Sequence, residues 1–508
     1  MRRALVCLGA FVALVAIFYA EEDWRGRSDW NQYRKATEAR GESLDLRSYI
    51  PKPVPDDQNF CATPFLKSLY QSNFNGNILT NDLWFRGSAH IPATYSQKAR
   101  ENLGHYRFTD LVSWQQVAEA MQNGTLKIGQ SFQTTNTSLA ERGAAAPAVL
   151  EGMKPDAAVF AELRAASARQ FSVCPVAYDL EIPWPILGGH LAGVKSLCQR
   201  LSFEACAELA AGQTDPALAD VELSLSLDES LKSDPYLLSY AVRTGCFPMA
   251  IQPVWEGLAE HRWTDAQLRD LQARFLAYDF VGDTAQILKE ERAAGVLMCD
   301  RVKKNGLVLV ADMWFPDSLA DTPPSKEVYE WLGWAMPAGW YVQEKLNYCR
   351  QFEDQFTGVV DFTAKKVSPH NAPSDAGKLI EQLRGSVLEA TLHQKLIATT
   401  LFLGALPFTG IARPQTCANQ AAIACALERY RLTNGQFPET LDALTPRFIS
   451  RLPNDVIGGQ PYKYRRTGDG QFVLYSVGWN EKDDGGVPGK KLFDEEEGDW
   501  VWDYPAWQ

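Results

Sequence analysis

Hydrophobic positions divide the chain into three kinds of stretch. The first is residues 4–20, seventeen residues without a charge, preceded by Arg2-Arg3 and followed at once by Glu21-Glu22-Asp23. Such a run makes about 25 Å of helix, close to the hydrocarbon thickness of a bilayer. The second spans about 61 to 395, where apolar residues recur at helical spacing. Blocks at 159–165, 191–211, 235–240, 254–261, 266–278, 287–298 and 326–349 read as helices. Gly212 closes one, and Thr264-Asp265 caps another. Pro216 opens a block with Leu218, Val221 and Leu225 on one side, although Leu223, Leu225 and Leu227 also alternate as a strand would. Short breaks between them predict antiparallel helical hairpins. No repeat of about 34 or 40 residues runs through the body, so a helical-repeat array is not expected.

The third stretch is the C-terminal quarter. Residues 396–412 are again apolar but are interrupted by Pro407 and Gly410. They predict a buried connecting helix and a turn, with a second membrane span as the alternative. Residues 418–432 are apolar nearly all round, the mark of a central helix. Asn434-Gly435 supplies a left-handed cap, and Pro438 starts a short helix through Leu441 and Leu444. Tyr462 and Tyr464 begin a strand, Gly468-Asp469-Gly470 turns it, and 472–477 return. The fold class is therefore mainly α, a helical-hairpin body with a small C-terminal α+β module. The expected divisions are an anchor at 1–20, a juxtamembrane helix and linker at 21–60, the body at 61–395, an apolar connector at 396–413 and the module at 414–508. In the linker, Trp30 and Tyr33 share a helical face, Gly41 stops the helix, and Pro51, Pro53 and Pro55 form an extended strut holding the body off the membrane.

Charge and chemistry narrow the function. The net charge of −12 repels phosphate backbones, so nucleic acid is not an expected partner. Ala20 suits the position before a signal cleavage site, but Phe18 does not suit the position two residues earlier. A retained anchor is expected, with secretion after cleavage as the alternative. Arginines before the run and acids after it favour an exported body, and Arg25, Arg27, Arg34 and Lys35 weaken that asymmetry. Ten cysteines contain no CxxC spacing, and buried free thiols are expected, with one or two long-range disulfides possible outside the membrane. The six histidines form no metal motif, and no nucleophile elbow or dinucleotide fingerprint occurs. His90 and His105, near Asp110, are the acid–base candidates, weighed against ordinary surface histidines.

The run Ala-Leu-Glu-Arg-Tyr-Arg-Leu-Thr-Asn-Gly-Gln-Phe-Pro-Glu-Thr-Leu at 426–441 resembles the helix and turn of type II secretion major pseudopilins. Pro461-Tyr462-Lys463-Tyr464, Leu474-Tyr475-Ser476-Val477-Gly478 and Gly498-Asp499-Trp500 extend the likeness in the same order. It covers about 90 residues and lies at the C-terminus, whereas a pseudopilin begins with its assembly helix. The resemblance implies calcium in the loop after Tyr475-Ser476, with Asn480, Asp484 and Asp499 as side-chain ligands; a solvated acidic loop is the alternative. It also implies a bacterial inner-membrane location with the body extracytoplasmic. The expected function is a non-catalytic envelope scaffold or binding protein with envelope-protein partners and membrane contact through residues 4–20. An accessory part of a secretion or pilus-like machine and an envelope hydrolase with an unfamiliar site are the alternatives.

Overall fold

The apolar run and the acidic stretch after it form one helix. α1 runs Arg2–Ala39 unbroken, and Gly41 stops it at φ +77°. Residues 2–18 are exposed on all sides, and this helix is long and apolar enough to cross a membrane. The computed structural model describes residues 2–71, 105–123, 138–174, 176, 189–309, 325–372, 391–392, 394, 396–398 and 408–504. His90, residues 310–324 and residues 399–407 lie outside them.

The body continues with α2 (Pro64–Gln71), α3 (Leu111–Gln122), α4 (Leu139–Met153), α5 (Ala157–Ala166), α6 (Gly189–Ala210), α7 (Thr214–Ser230), α8 (Leu237–Ala259), α9 (Asp265–Ala277), α10 (Phe280–Asn305), α11 (Lys326–Ala335) and α12 (Ala338–Phe356). Local signals explain most boundaries. Thr264 and Gln267 form a reciprocal capping box at the start of α9. Gly212 turns α6 into α7 at φ +77°. α7 is a helix despite its alternating leucines. Leu223, Leu225 and Leu227 are all buried, because α7 is packed between α6 and α8 and has little outer face.

Two expectations are corrected. The blocks at 235–240 and 254–261 are parts of the single helix α8, which continues through Pro248 and Pro253. Burial of Phe247, Ile251, Val254 and Trp255 outweighs the hydrogen bonds that the two prolines cannot donate. The block at 326–349 is instead two helices. Pro337 forces Met336 into an extended conformation, ψ 130°, and so ends α11.

α13 (Thr409–Asn434) is the centre of the molecule. It is almost continuously buried from Thr409 to Glu428 and packs on α8, α9 and α10. Gly435 caps it at φ +78°. A small hairpin, β1 (Val360–Asp361) with β2 (Lys366–Val367), leads toward it. Over it lies an antiparallel meander of β3 (Lys463–Arg466), β4 (Phe472–Ser476) and β5 (Trp500–Asp503) in the order β3-β4-β5. Gln420 donates from α13 to the Trp500 carbonyl at 2.7 Å, and Trp255 of α8 donates to the Asp503 carbonyl at 3.1 Å. The expected boundary at 413/414 thus falls inside the first turns of a helix whose core belongs to body and module alike. Leu396, Ile397 and Ala398 are buried in that core, with the Leu396 and Ala398 N–H groups donating to Glu344 at 2.8 and 3.0 Å.

The second half of α1 docks along α12, so the proline strut does not space the body from the anchor. Glu22, Gly26 and Thr37 are buried. Asp23 accepts from the Gly339 N–H at 2.6 Å, in the first turn of α12, where helix N–H groups lack internal partners. Glu22 accepts from the Trp340 indole at 2.9 Å, and Asp29 from Gln343 at 2.9 Å. Further on, Tyr33, Arg40 and Arg292 converge on Glu353 at 2.9, 2.7 and 2.9 Å. A second seam sets Asn59 against 171–173. Its amide donates to the Val173 carbonyl and accepts from the Val173 N–H, at 2.8 and 2.9 Å. That register places the sulfurs of Cys61 and Cys174 at 3.7 Å, both buried.

A Cβ at Gly339 would lie 2.0 Å from the Glu22 carbonyl oxygen, a backbone atom that cannot swing away. Gly339→Ala is expected to destabilise the chain by roughly 2–3 kcal/mol, as overpacking does. Thermal melts of the full chain in detergent check this. An unchanged melting temperature would mean that α1 does not sit against α12.

Candidate functional site

The loop between β4 and β5 holds the three residues expected to bind calcium. Asp499 stands just before β5 and is buried. Its carboxylate oxygens accept from the N–H groups of Asp484 at 3.2 Å and Gly486 at 2.6 Å. Burial pushes this carboxyl up in spite of them. Asn480 donates from its amide to Asp484 at 3.2 Å, and its carbonyl accepts from the Lys482 N–H at 3.0 Å. The fold therefore brings Asn480, Asp484 and Asp499 together. Much of the oxygen set is turned toward N–H groups, however, and calcium needs six to eight oxygens. Lys463 also lies beside the loop, 3.4 Å from Asp483. As folded, the loop is closed by its own hydrogen bonds and is a poor fit for calcium.

A different cluster lies between helices. Glu204 and Glu208 stand one turn apart on α6, and Asp220 faces them from α7. Ligand oxygens of the three lie within 4.8 Å of one another. Arg164 of α5 binds one oxygen of Asp220. The buried Oε2 atoms of both glutamates and Oδ2 of Asp220 have no hydrogen-bond partner. Burial first, opposed by Arg164, raises Glu204 to about 7 and Glu208 to about 8; the Glu204 charge adds to the rise at Glu208. Three carboxylates so placed share protons or hold a cation. Sequence reasoning passed over them, although Glu204 and Glu208 interrupt an apolar run at i, i+4 spacing, which was the available signal.

Of the acid–base candidates, His90 lies outside the described residues, and His105 does not pair with Asp110. His105 binds Asp503 at 2.8 Å, while Asp110 accepts from the Ser113 N–H and hydroxyl at 2.9 and 2.6 Å and so caps α3. His261 binds Glu428, and His370 binds Glu481. His190 and the Ser239 hydroxyl both approach Asp234 Oδ2, at 3.3 and 2.7 Å. A hydrolytic triad needs the imidazole between hydroxyl and carboxylate, and here the carboxylate stands in the middle. No two cysteines are bonded to each other in the structure, and burial raises the thiols of Cys206, Cys246, Cys299, Cys349 and Cys425, the opposite of what a nucleophile requires; at Cys246 a hydrogen bond from Cys198 acts first.

The glutamate cluster gives a signed pH dependence. A carboxyl raised in the folded state favours folding at low pH, and that contribution is lost as pH rises through the folded value. Between pH 5 and 8 the chain is expected to lose stability through Glu204 and Glu208. The double variant Glu204→Gln, Glu208→Gln should flatten that loss. Denaturant melts at the two pH values check it, and a slope identical in the variant would show that the pair does not titrate in this range. No family model, curated protein or solved structure matches the chain.

Proposed function

We propose that the chain is a membrane-anchored, non-catalytic scaffold or binding protein of the cell envelope, its helical body seated directly on the anchor. One observation carries this reading. α1 is bare and apolar over its first half and is bound to the body by Glu22, Asp23, Gly26 and Asp29 over its second. Its two halves form one unbroken helix, so the body is fixed relative to the apolar segment and does not hang on a linker. A secreted form cut after Ala20 would forfeit the Tyr19 hydroxyl bond to the Ala335 carbonyl and the edge contact of Phe18 on Trp340. The dispersed histidines and buried thiols support a role in contacts over a role in catalysis. A second reading, an accessory of a secretion machine, rests on the pseudopilin-like residues 426–502.

The intact mass of the membrane-extracted protein tests the anchor. Residues 1–20 are expected to be present, and the protein should stay in the pellet after alkaline carbonate washing. A soluble chain beginning at Glu21 would overturn the reading. Orientation has its own readout. An extracytoplasmic compartment is oxidising, so Cys61 and Cys174 are expected to be joined in protein trapped with acid before lysis. A donor disulfide would take up the two electrons and two protons and leave as a dithiol. Non-reducing peptide mapping detects the link. Two free thiols would place the body on the reducing side.

A further inference from the structure

α11 presents two faces of opposite character. Tyr329, Leu332 and Met336 are buried against the body. Val328, Trp331 and Trp334 point outward and are 42, 61 and 84% exposed. Two bare tryptophans one turn apart are costly in water. Their position says what covers them. α11 ends at Ala335, whose carbonyl accepts from the Tyr19 hydroxyl at 2.5 Å. Tyr19 is at the end of the apolar run of α1, the level at which a spanning helix leaves the hydrocarbon. Trp334 adjoins Ala335, and Trp331 is four residues back, about 6 Å along the helix axis. The headgroup layer of one leaflet is itself about 5–7 Å deep. Both residues therefore start within about one headgroup-layer depth of that level. Tryptophan is suited to it, having an apolar ring and one N–H donor.

We propose that α11 is a second membrane contact, an interfacial helix that seats Trp331 and Trp334 in the lipid headgroup layer beside the emerging α1. This rests on the reading of α1 as an anchor. The seat is shallow, because Glu327 and Glu330 are exposed on the same helix and must stay in water. With two exposed acids against one exposed lysine, Lys326, on this helix, the occupant is neutral or zwitterionic lipid, and anionic lipid does not strengthen the contact. Anchor and seat together form two points of attachment, which fix the rotation of the body about α1 as well as its height.

The test uses the full chain labelled with 5-fluorotryptophan in phosphatidylcholine nanodiscs that carry a nitroxide at headgroup level. The fluorine resonances of Trp331, Trp334 and Trp24 are assigned as those missing from Trp331→Phe, Trp334→Phe and Trp24→Phe. Trp24 lies on α1 five residues beyond Tyr19 and is 71% exposed, so it reports the anchor alone. The Trp331 and Trp334 resonances are expected to lose most of their intensity, with or without anionic lipid. If they stay sharp while that of Trp24 is lost, the anchor stands and the seat is refuted. If all three stay sharp and the chain does not co-purify with the discs, the anchor reading fails and takes the seat with it. Broadening that requires anionic lipid would also overturn the proposal, since it would mean attraction through charge and not through the rings.

Discussion

The rest of the structure depends on the meeting of two backbones. Gly26 of α1 and Gly339 of α12 leave no room for a Cβ on either side; one added at Gly26 would lie 2.5 Å from the Gly339 carbonyl oxygen. That approach lets Asp23 reach the N–H groups at the start of α12, where a carboxylate is favoured by the helix dipole. It also sets the register for everything farther along the seam. Trp30 and Tyr33 stack at 5.9 Å, Lys345 lies 4.2 Å from the Trp30 ring, and Arg292 bridges Glu42 and Glu353. The polar contacts specify which face of α1 meets the body, and the glycines permit the distance. An anchor joined in this way transmits orientation, which a flexible linker would not.

What was legible in the sequence was local. The cap at Thr264, the left-handed Gly435 and the turn at 468–470 are decided by a few adjacent residues, and each behaves in the structure as its chemistry demands. What was not legible depends on partners distant in the chain. Glu21-Glu22-Asp23 read as a charged flank of the apolar run, and nothing nearby reveals that Asp23 caps a helix more than three hundred residues away. α8 looked broken because propensity condemns Pro248 and Pro253, whereas burial on several sides carries the helix through them. The candidate sites divide in the same way. Asn480, Asp484 and Asp499 were found because a resemblance aligned them. Glu204, Glu208 and Asp220 were missed because their meeting depends on how α6 packs against α7.

The shared core bears on the C-terminal module. α13 is buried by α8, α9 and α10 on one side and by the sheet on the other. A subunit that polymerised through this helix would need a free face on it, and from Thr409 to Glu428 almost none is left. The module is thus part of the body and not an appendage to it. The β4–β5 loop folds over the outer side of the sheet, where Val473, Tyr475 and Val501 are buried, and Lys463 and Arg465 of the edge strand β3 stay exposed.

Buried ionisable groups with shifted protonation usually draw attention to catalytic sites. In this fold most of them have a visible structural task. Glu344, raised to about 8 by burial, receives the N–H groups of residues 396–398. Asp455, raised to about 7 by burial, receives the Ile457 N–H in a turn beside the sheet. Asp228, raised to about 7 by burial, stands 3.4 Å from Arg243, which also binds Asp283. At each of these three carboxyls burial is the first cause of the shift and a named N–H or guanidinium group stands beside it, so the shifts report packing. Both oxygens of Asp228 lack a hydrogen bond as well; Glu204, Glu208 and Asp220 differ because three carboxylates with such an oxygen lie together. Leaving such atoms unsatisfied costs stability, and a fold that tolerates three of them together needs protons there, or a cation.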